Sequence, residues 1–114
     1  MIDHDQARSA RSDPGAVDTL FRRIRERFGR LDVVFNNAGT GAPMTSFGDL
    51  DWETWRTVVS TNLDGAFLVA HKAFQQMRDQ SPRGGRIINN GSISAHVPRP
   101  GSAPYPASKH GLTG

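Results

Sequence analysis

The sequence predicts an α/β fold built on a short parallel sheet. Two brief, β-rich and mostly apolar runs, at residues 31–36 and 86–90, are separated by a long segment in which apolar residues recur at three- and four-residue steps. Strands joined by a helix of that length form a βαβ unit, and its strands run parallel. The segments are bounded by residues suited to helix caps and turns. At 114 residues the chain is at most one domain, large enough to bury roughly two thirds of its unfolded surface.

The elements follow in order. Residues 1–12 are polar, lack periodicity and read as a lead-in. Asp13-Pro14 reads as an N-cap followed by proline at the first helical position, where a missing N–H costs nothing. Val17, Leu20, Ile24 and Phe28 then form one face, and Gly29 stops the helix. Leu31 to Asn36 is expected to be a buried strand, because parallel strands are normally covered on both faces. A Gly/Pro/Ser loop runs from Gly39 to Asp49, and a long helix opens near Asp51. Its stripe of Trp52, Trp55, Val59, Leu63, Phe67, Ala70, Phe74 and Met77 is read as core or subunit contact. Residues 81–85 end that helix, Arg86 to Asn90 form a second buried strand, and a proline-rich loop leads into a last helix opening near Ala103 to Tyr105.

Composition narrows the possibilities. Cysteine is absent, which excludes disulfides and thiolate metal sites. No apolar run approaches the ~18 residues of a membrane span, and no signal-peptide core opens the chain, so a cytoplasmic protein is expected. The formal charge is +3, and arginine dominates the cations. Arg22, Arg23, Arg25, Arg27 and Arg30 cluster on a helical pattern, which reads as a solvated face rather than a nucleic-acid surface. A hydrophobic content of 36% and a mean hydropathy of −0.52 are low for a self-sufficient α/β domain.

The chemistry is concentrated near the C-terminus. Tyr105 and Lys109 stand four residues apart, so on a helix both heads can enter one pocket. A phenol titrates near 10, too high for a base at neutral pH. An ammonium about 4 Å away supplies about 4 kcal/mol at an effective dielectric near 20, enough to lower that by about 3 units. Ser92 lies beyond the second strand, where ligands of parallel sheets bind, and its hydroxyl can hold a substrate oxygen. Ser94 is a nearby competitor. Asn62 sits mid-helix among apolar neighbours, where asparagine is unfavourable. It is either functional or a buried amide marking a helix irregularity. Asn36-Asn37-Ala38-Gly39 ends the first strand with small residues that let a ligand approach the backbone, or simply turn the chain.

Taken in register, NNAG (36–39), Asn62 within STNLDGAF, GSIS (91–94) and YPASK (105–109) running into HGLTG resemble the short-chain dehydrogenase/reductase family from about Asp13 onward. The resemblance implies a Rossmann-type doubly wound sheet, of which this chain holds the fourth and fifth strands with their flanking helices, and binding of NAD or NADP. Tyr105 would be the general acid/base, Ser92 would orient and polarise the oxygen of an alcohol or ketone, and Lys109 would favour the ionised tyrosine and hold the nicotinamide ribose. Asn62 would position a water in a proton relay, and Asn37, Ala38 and Gly39 would line the adenosine side of the cofactor. A homo-oligomer is expected by the same resemblance, with helix 51–80 between subunits. As an alternative to catalysis, that helix would pair the chain with full-length relatives.

The family's glycine-rich pyrophosphate turn has no counterpart. Gly39 and Gly41 have Met44 where a third glycine is needed, and Gly84-Gly85 precedes a strand instead of following one. Residues 13–114 are therefore expected to be the central, truncated portion of such a domain, with open sheet edges and little activity alone.

Overall fold

The computed structural model describes residues 12–37 and 39–114, so most of the lead-in and Ala38 lie outside the described residues. Helix α1 spans Pro14–Phe28 with the caps the sequence predicts. The Asp13 carboxylate accepts from the Gly15 amide at 2.9 Å. Gly29, at φ 76°, adopts the left-handed conformation that glycine enters without steric cost and donates its N–H to the Arg25 carbonyl. Arg22, Arg23, Arg25 and Arg27 are exposed, as expected of a solvated face.

Strand β1 is Val33–Asn36 and strand β2 is Arg86–Asn89. They pair in parallel, with Val34 opposite Ile87 and Asn36 opposite Asn89. Between them runs a long helical passage: α2 (Trp52–Val59), a π-helical turn (Ser60–Asp64) and α3 (Gly65–Asp79). Asp51 caps α2. Hydrogen bonds from the Thr54 side chain and amide hold its carboxyl below the usual carboxylate range. At the other end the Gln80 side chain clasps the main chain of Leu31, accepting from its N–H at 2.9 Å and donating to its carbonyl at 2.8 Å. Helix α4 is Pro104–Thr113, with Pro106 tolerated in its first turn.

The core lies between α1, α3 and one face of the sheet. Val17 and Phe21 of α1 meet Ala73 and Met77 of α3, with Leu31, Val34, Leu68, Val69 and Ile87 packed around them. Gly85 lets Met77 pack closely where the chain enters β2, since a Cβ there would stand 2.5 Å from the Met77 sulfur and the side chain would have to shift.

Two expectations need correction. The strands are not buried on both faces: Val33 is 56% exposed, Phe35 58% and Ile88 46%. These residues lie on the sheet face opposite the α1–α3 core, and nothing among the described residues covers that face.

The long stripe is also displaced. Trp52, Phe67 and Phe74 are exposed, while the buried positions are Val58, Asn62, Gly65, Ala66, Ala73, Gln76 and Met77. Most of the buried line falls one residue before the expected one. Its alanines let the helix approach its neighbours closely, and the bulky aromatics are turned outward.

Candidate active site

The C-terminal ends of both strands are tied together by asparagines. Asn36, 3% exposed, donates to the Ala66 carbonyl at 2.9 Å and to the Asn89 side chain at 3.1 Å. One residue on, Asn90 donates to the Asn37 side chain at 2.6 Å. These rungs close the sheet at the end where parallel-sheet proteins bind ligands.

Asn62 projects from the π-helical turn and is fully buried. Its carbonyl oxygen accepts from the Thr40 N–H at 2.8 Å, and its amide donates to the Thr40 carbonyl at 2.9 Å and the Ser108 hydroxyl at 3.1 Å. The extra residue of a π-turn, a feature frequent at functional sites, accompanies this placement. Ser108 passes the connection on, donating to the Tyr105 carbonyl at 2.7 Å in the first turn of α4. The anomaly visible in the sequence is thus both a helix irregularity and a satisfied buried amide.

Tyr105 and Lys109 share a face of α4, with the ammonium 5.7 Å from the centre of the phenol ring. Lys109 is 1% exposed, and its Nζ donates to the Asn90 carbonyl at 3.3 Å. A Cβ on Gly39 would sit 3.8 Å from that Nζ, at ordinary contact distance, so the glycine backbone lies close beside the ammonium. Asn62, Lys109, Gly39 and the Asn37–Asn90 pair therefore gather at one end of the sheet. Ala38 lies outside the described residues.

Ser92 stands three residues beyond the end of β2. Strand β2 ends at Asn89, and the Ser92 hydroxyl accepts from the Ser94 amide at 3.1 Å, capping a short 3₁₀ turn (Ile93–Ala95). A cleft of about 240 Å³ opens beside Tyr105, lined with Gly41, Ala42, Ser94, Arg99, Ser102 and Pro104. The serine in that lining, apart from Ser102, is the buried Ser94.

Sequence reasoning missed Ser108, Thr40 and Asn90. Ser108 was open to detection as a small polar residue one turn beyond Tyr105. Thr40 joins Asn62, and Asn90 joins Lys109, through main-chain groups, which carry no residue-specific signal.

A model of short chain dehydrogenases matches residues 8–114. The chain belongs to this family. It is 44% identical over 94 residues to the uncharacterized oxidoreductase YohF of Escherichia coli, a match covering 81% of this chain and 36% of the relative. It is 33% identical over 103 residues to a 3-oxoacyl-[acyl-carrier-protein] reductase of Escherichia coli, covering 90% of this chain and 41% of the relative. Among solved structures, NAD+-bound xylitol dehydrogenase superposes with a TM-score of 0.83 at 28% identity, over 90% of this chain and 39% of the other. The chain thus spans well under half the length of these short-chain dehydrogenases.

The donor set fits the nicotinamide-ribose end of a dinucleotide. A buried ammonium and a phenol lie one helical turn apart, with Gly39 close beside the ammonium. No strand–turn–helix with closely spaced glycines occurs among the described residues to fit the pyrophosphate end.

Proposed function

We propose that residues 13–114 form the catalytic portion of an NAD(P)-dependent oxidoreductase that interconverts a secondary alcohol and a ketone. One arrangement carries the reading: the buried Lys109 ammonium lies against the Tyr105 ring at the C-terminal end of a parallel sheet, and Ser108 ties that turn of α4 to Asn62.

In reduction the Tyr105 hydroxyl gives its proton to the substrate oxygen, and in oxidation it takes the proton back. Lys109 holds its ammonium over the Tyr105 ring, 5.7 Å from its centre. Ser92 orients the substrate oxygen, its hydroxyl turning from the Ser94 amide to do so. Asn62 holds the loop at Thr40 and the first turn of α4 in one arrangement, and with them the proton path behind Lys109. Lys109 and Tyr105 would hold the nicotinamide ribose of NAD or NADP, with Asn37, Ala38 and Gly39 along the adenosine side. A bound nicotinamide supplies the hydride in one direction and accepts it in the other.

The test is a chimera in which residues 13–114 replace the matching segment of the Escherichia coli 3-oxoacyl reductase. It should oxidise NADPH or NADH with a 3-oxoacyl substrate. Tyr105→Phe should lower the rate at least 100-fold, within the range typical of losing general acid/base catalysis. A chimera that works equally well with phenylalanine refutes the assignment. The 114-residue chain alone should show no saturable change in NADH or NADPH fluorescence at micromolar protein, and a clear micromolar isotherm would contradict that expectation.

A further inference from the structure

We propose that the cleft beside Tyr105 takes a short oxo acid or hydroxy acid, and that Arg99 recognises its carboxylate. This rests on the reading of Tyr105 as the group that meets the reacting oxygen.

Among the described residues Arg99 is the charged side chain of the cleft lining, and none of them brings a carboxylate to it. Among the described residues Arg99 enters no ion pair; the arginines that do are Arg22, Arg30, Arg56 and Arg78. A cation in a cleft wall without a counter-charge selects for an anion. Guanidinium selects most strongly for a planar carboxylate, which it binds through two parallel hydrogen bonds. Two hydroxyls share the lining: Ser94, 8% exposed, and Ser102. The Ser94 hydroxyl can donate to a carboxylate oxygen, while the Ser102 proton is given to the Arg99 carbonyl.

The backbone carrying Arg99 is stiff, which distinguishes it from an arginine on a loose loop. Pro98 and Pro100 flank it and restrict the main chain on both sides. The Ser102 hydroxyl donates to the Arg99 carbonyl at 2.6 Å. The Thr45 amide donates to the Gly101 carbonyl at 2.8 Å. Gly101 has φ 71°, and a Cβ there would meet the Met44 side chain at 2.8 Å, so the strap fits the loop at 44–45 with a glycine at that position. A strap fixed in this way holds the cation at the cleft and reduces the ordering cost of binding. The volume, about 240 Å³, is below the range typical of drug-sized ligands and suits an acid of a few carbons.

The probes are acetoacetate and 2,4-pentanedione, its uncharged near-isostere, titrated into the isotopically labelled 114-residue chain while the Arg99 Nε–H and Tyr105 ring signals are followed by NMR. Acetoacetate should shift both signals saturably, with a Kd at least tenfold below that of 2,4-pentanedione. Arg99→Gln should weaken acetoacetate about tenfold and leave the diketone unchanged. Arg99→Lys, which keeps the charge without the fork, should fall between, and all three proteins should give the same far-UV circular dichroism. Equal affinity for the two probes, no saturable shift at Arg99, or unchanged acetoacetate binding in Arg99→Gln overturns the proposal. If both probes shift Tyr105 alike, the Tyr105 reading survives and the carboxylate preference fails. If acetoacetate saturates Arg99 and leaves Tyr105 still, the anion site stands and the reading of Tyr105 falls.

Discussion

The two halves of the long helical passage are joined to the rest of the chain by opposite means. Around Ala73 and Met77 the contact is apolar: α3 lies against Val17 and Phe21 of α1 and against Val34 and Ile87 of the sheet. Around Asn62 the contact is polar: one buried amide holds the main chain of Thr40 and the hydroxyl of Ser108, and a π-turn interrupts the helix at that point. Apolar burial is non-directional and tolerates small shifts, whereas a set of hydrogen bonds in a dry site is directional and fails if one partner is lost. The half around Ala73 secures the fold, and the half around Asn62 positions the groups at the site.

The largest effect that would sharpen this contrast is Phe21→Ala. Removing a fully buried ring from the apolar half should cost about 4 kcal/mol, seen as a lower urea midpoint at an unchanged denaturant slope. Asn62→Ala should cost about 3 kcal/mol, because it strands the Thr40 N–H and carbonyl and removes the Ser108 partner. Its signature should be local, with amide exchange at Thr40 accelerating far more than at Val34. Uniform acceleration across both halves would erase the distinction.

Gln76→Leu, the smallest change, tests a buried polar group in the apolar half. The Gln76 side chain is buried, and among the described residues neither of its amide atoms has a partner. Replacing it should stabilise the chain by about 1–2 kcal/mol, read as a higher melting temperature. A lower melting temperature would mean that the amide is satisfied in solution.

Local chemistry explains what the sequence disclosed. Asp13, Pro14 and Gly29 act on neighbours within a few residues, so the limits of α1 were legible, as was the start of α2 at Asp51. The buried face of the long helix was not, because reading by size favours Phe67 and Phe74, whereas close packing selected Ala66 and Ala73. Strand burial depends on what covers the second face of the sheet, which no property of Val33, Phe35 or Ile88 reveals. At the site, Asn62, Tyr105 and Lys109 stood out by type and spacing. Thr40 and Asn90 did not, since each joins through its main chain to a residue about twenty positions away. Ser92 was legible as a candidate, but its hydroxyl's present role in capping a turn emerges only from the three-dimensional arrangement.

The clasp that Gln80 makes on Leu31 is repeated by Asn62 on Thr40: in each, a side-chain amide both donates to and accepts from one residue's main chain. The helix thereby works as a caliper on β1, with one jaw before the strand and one after it. Eighteen residues separate the jaws along the helix and nine along the segment that carries β1, so the two spacings are held against each other. Each jaw mimics a peptide pair, and a slip of one residue breaks both of its bonds together. Strand length is therefore gauged by the helix, and a residue inserted into or deleted from β1 must open a jaw. The opening would fall at Thr40, beside the residues assigned to chemistry, or at Leu31, in the apolar base.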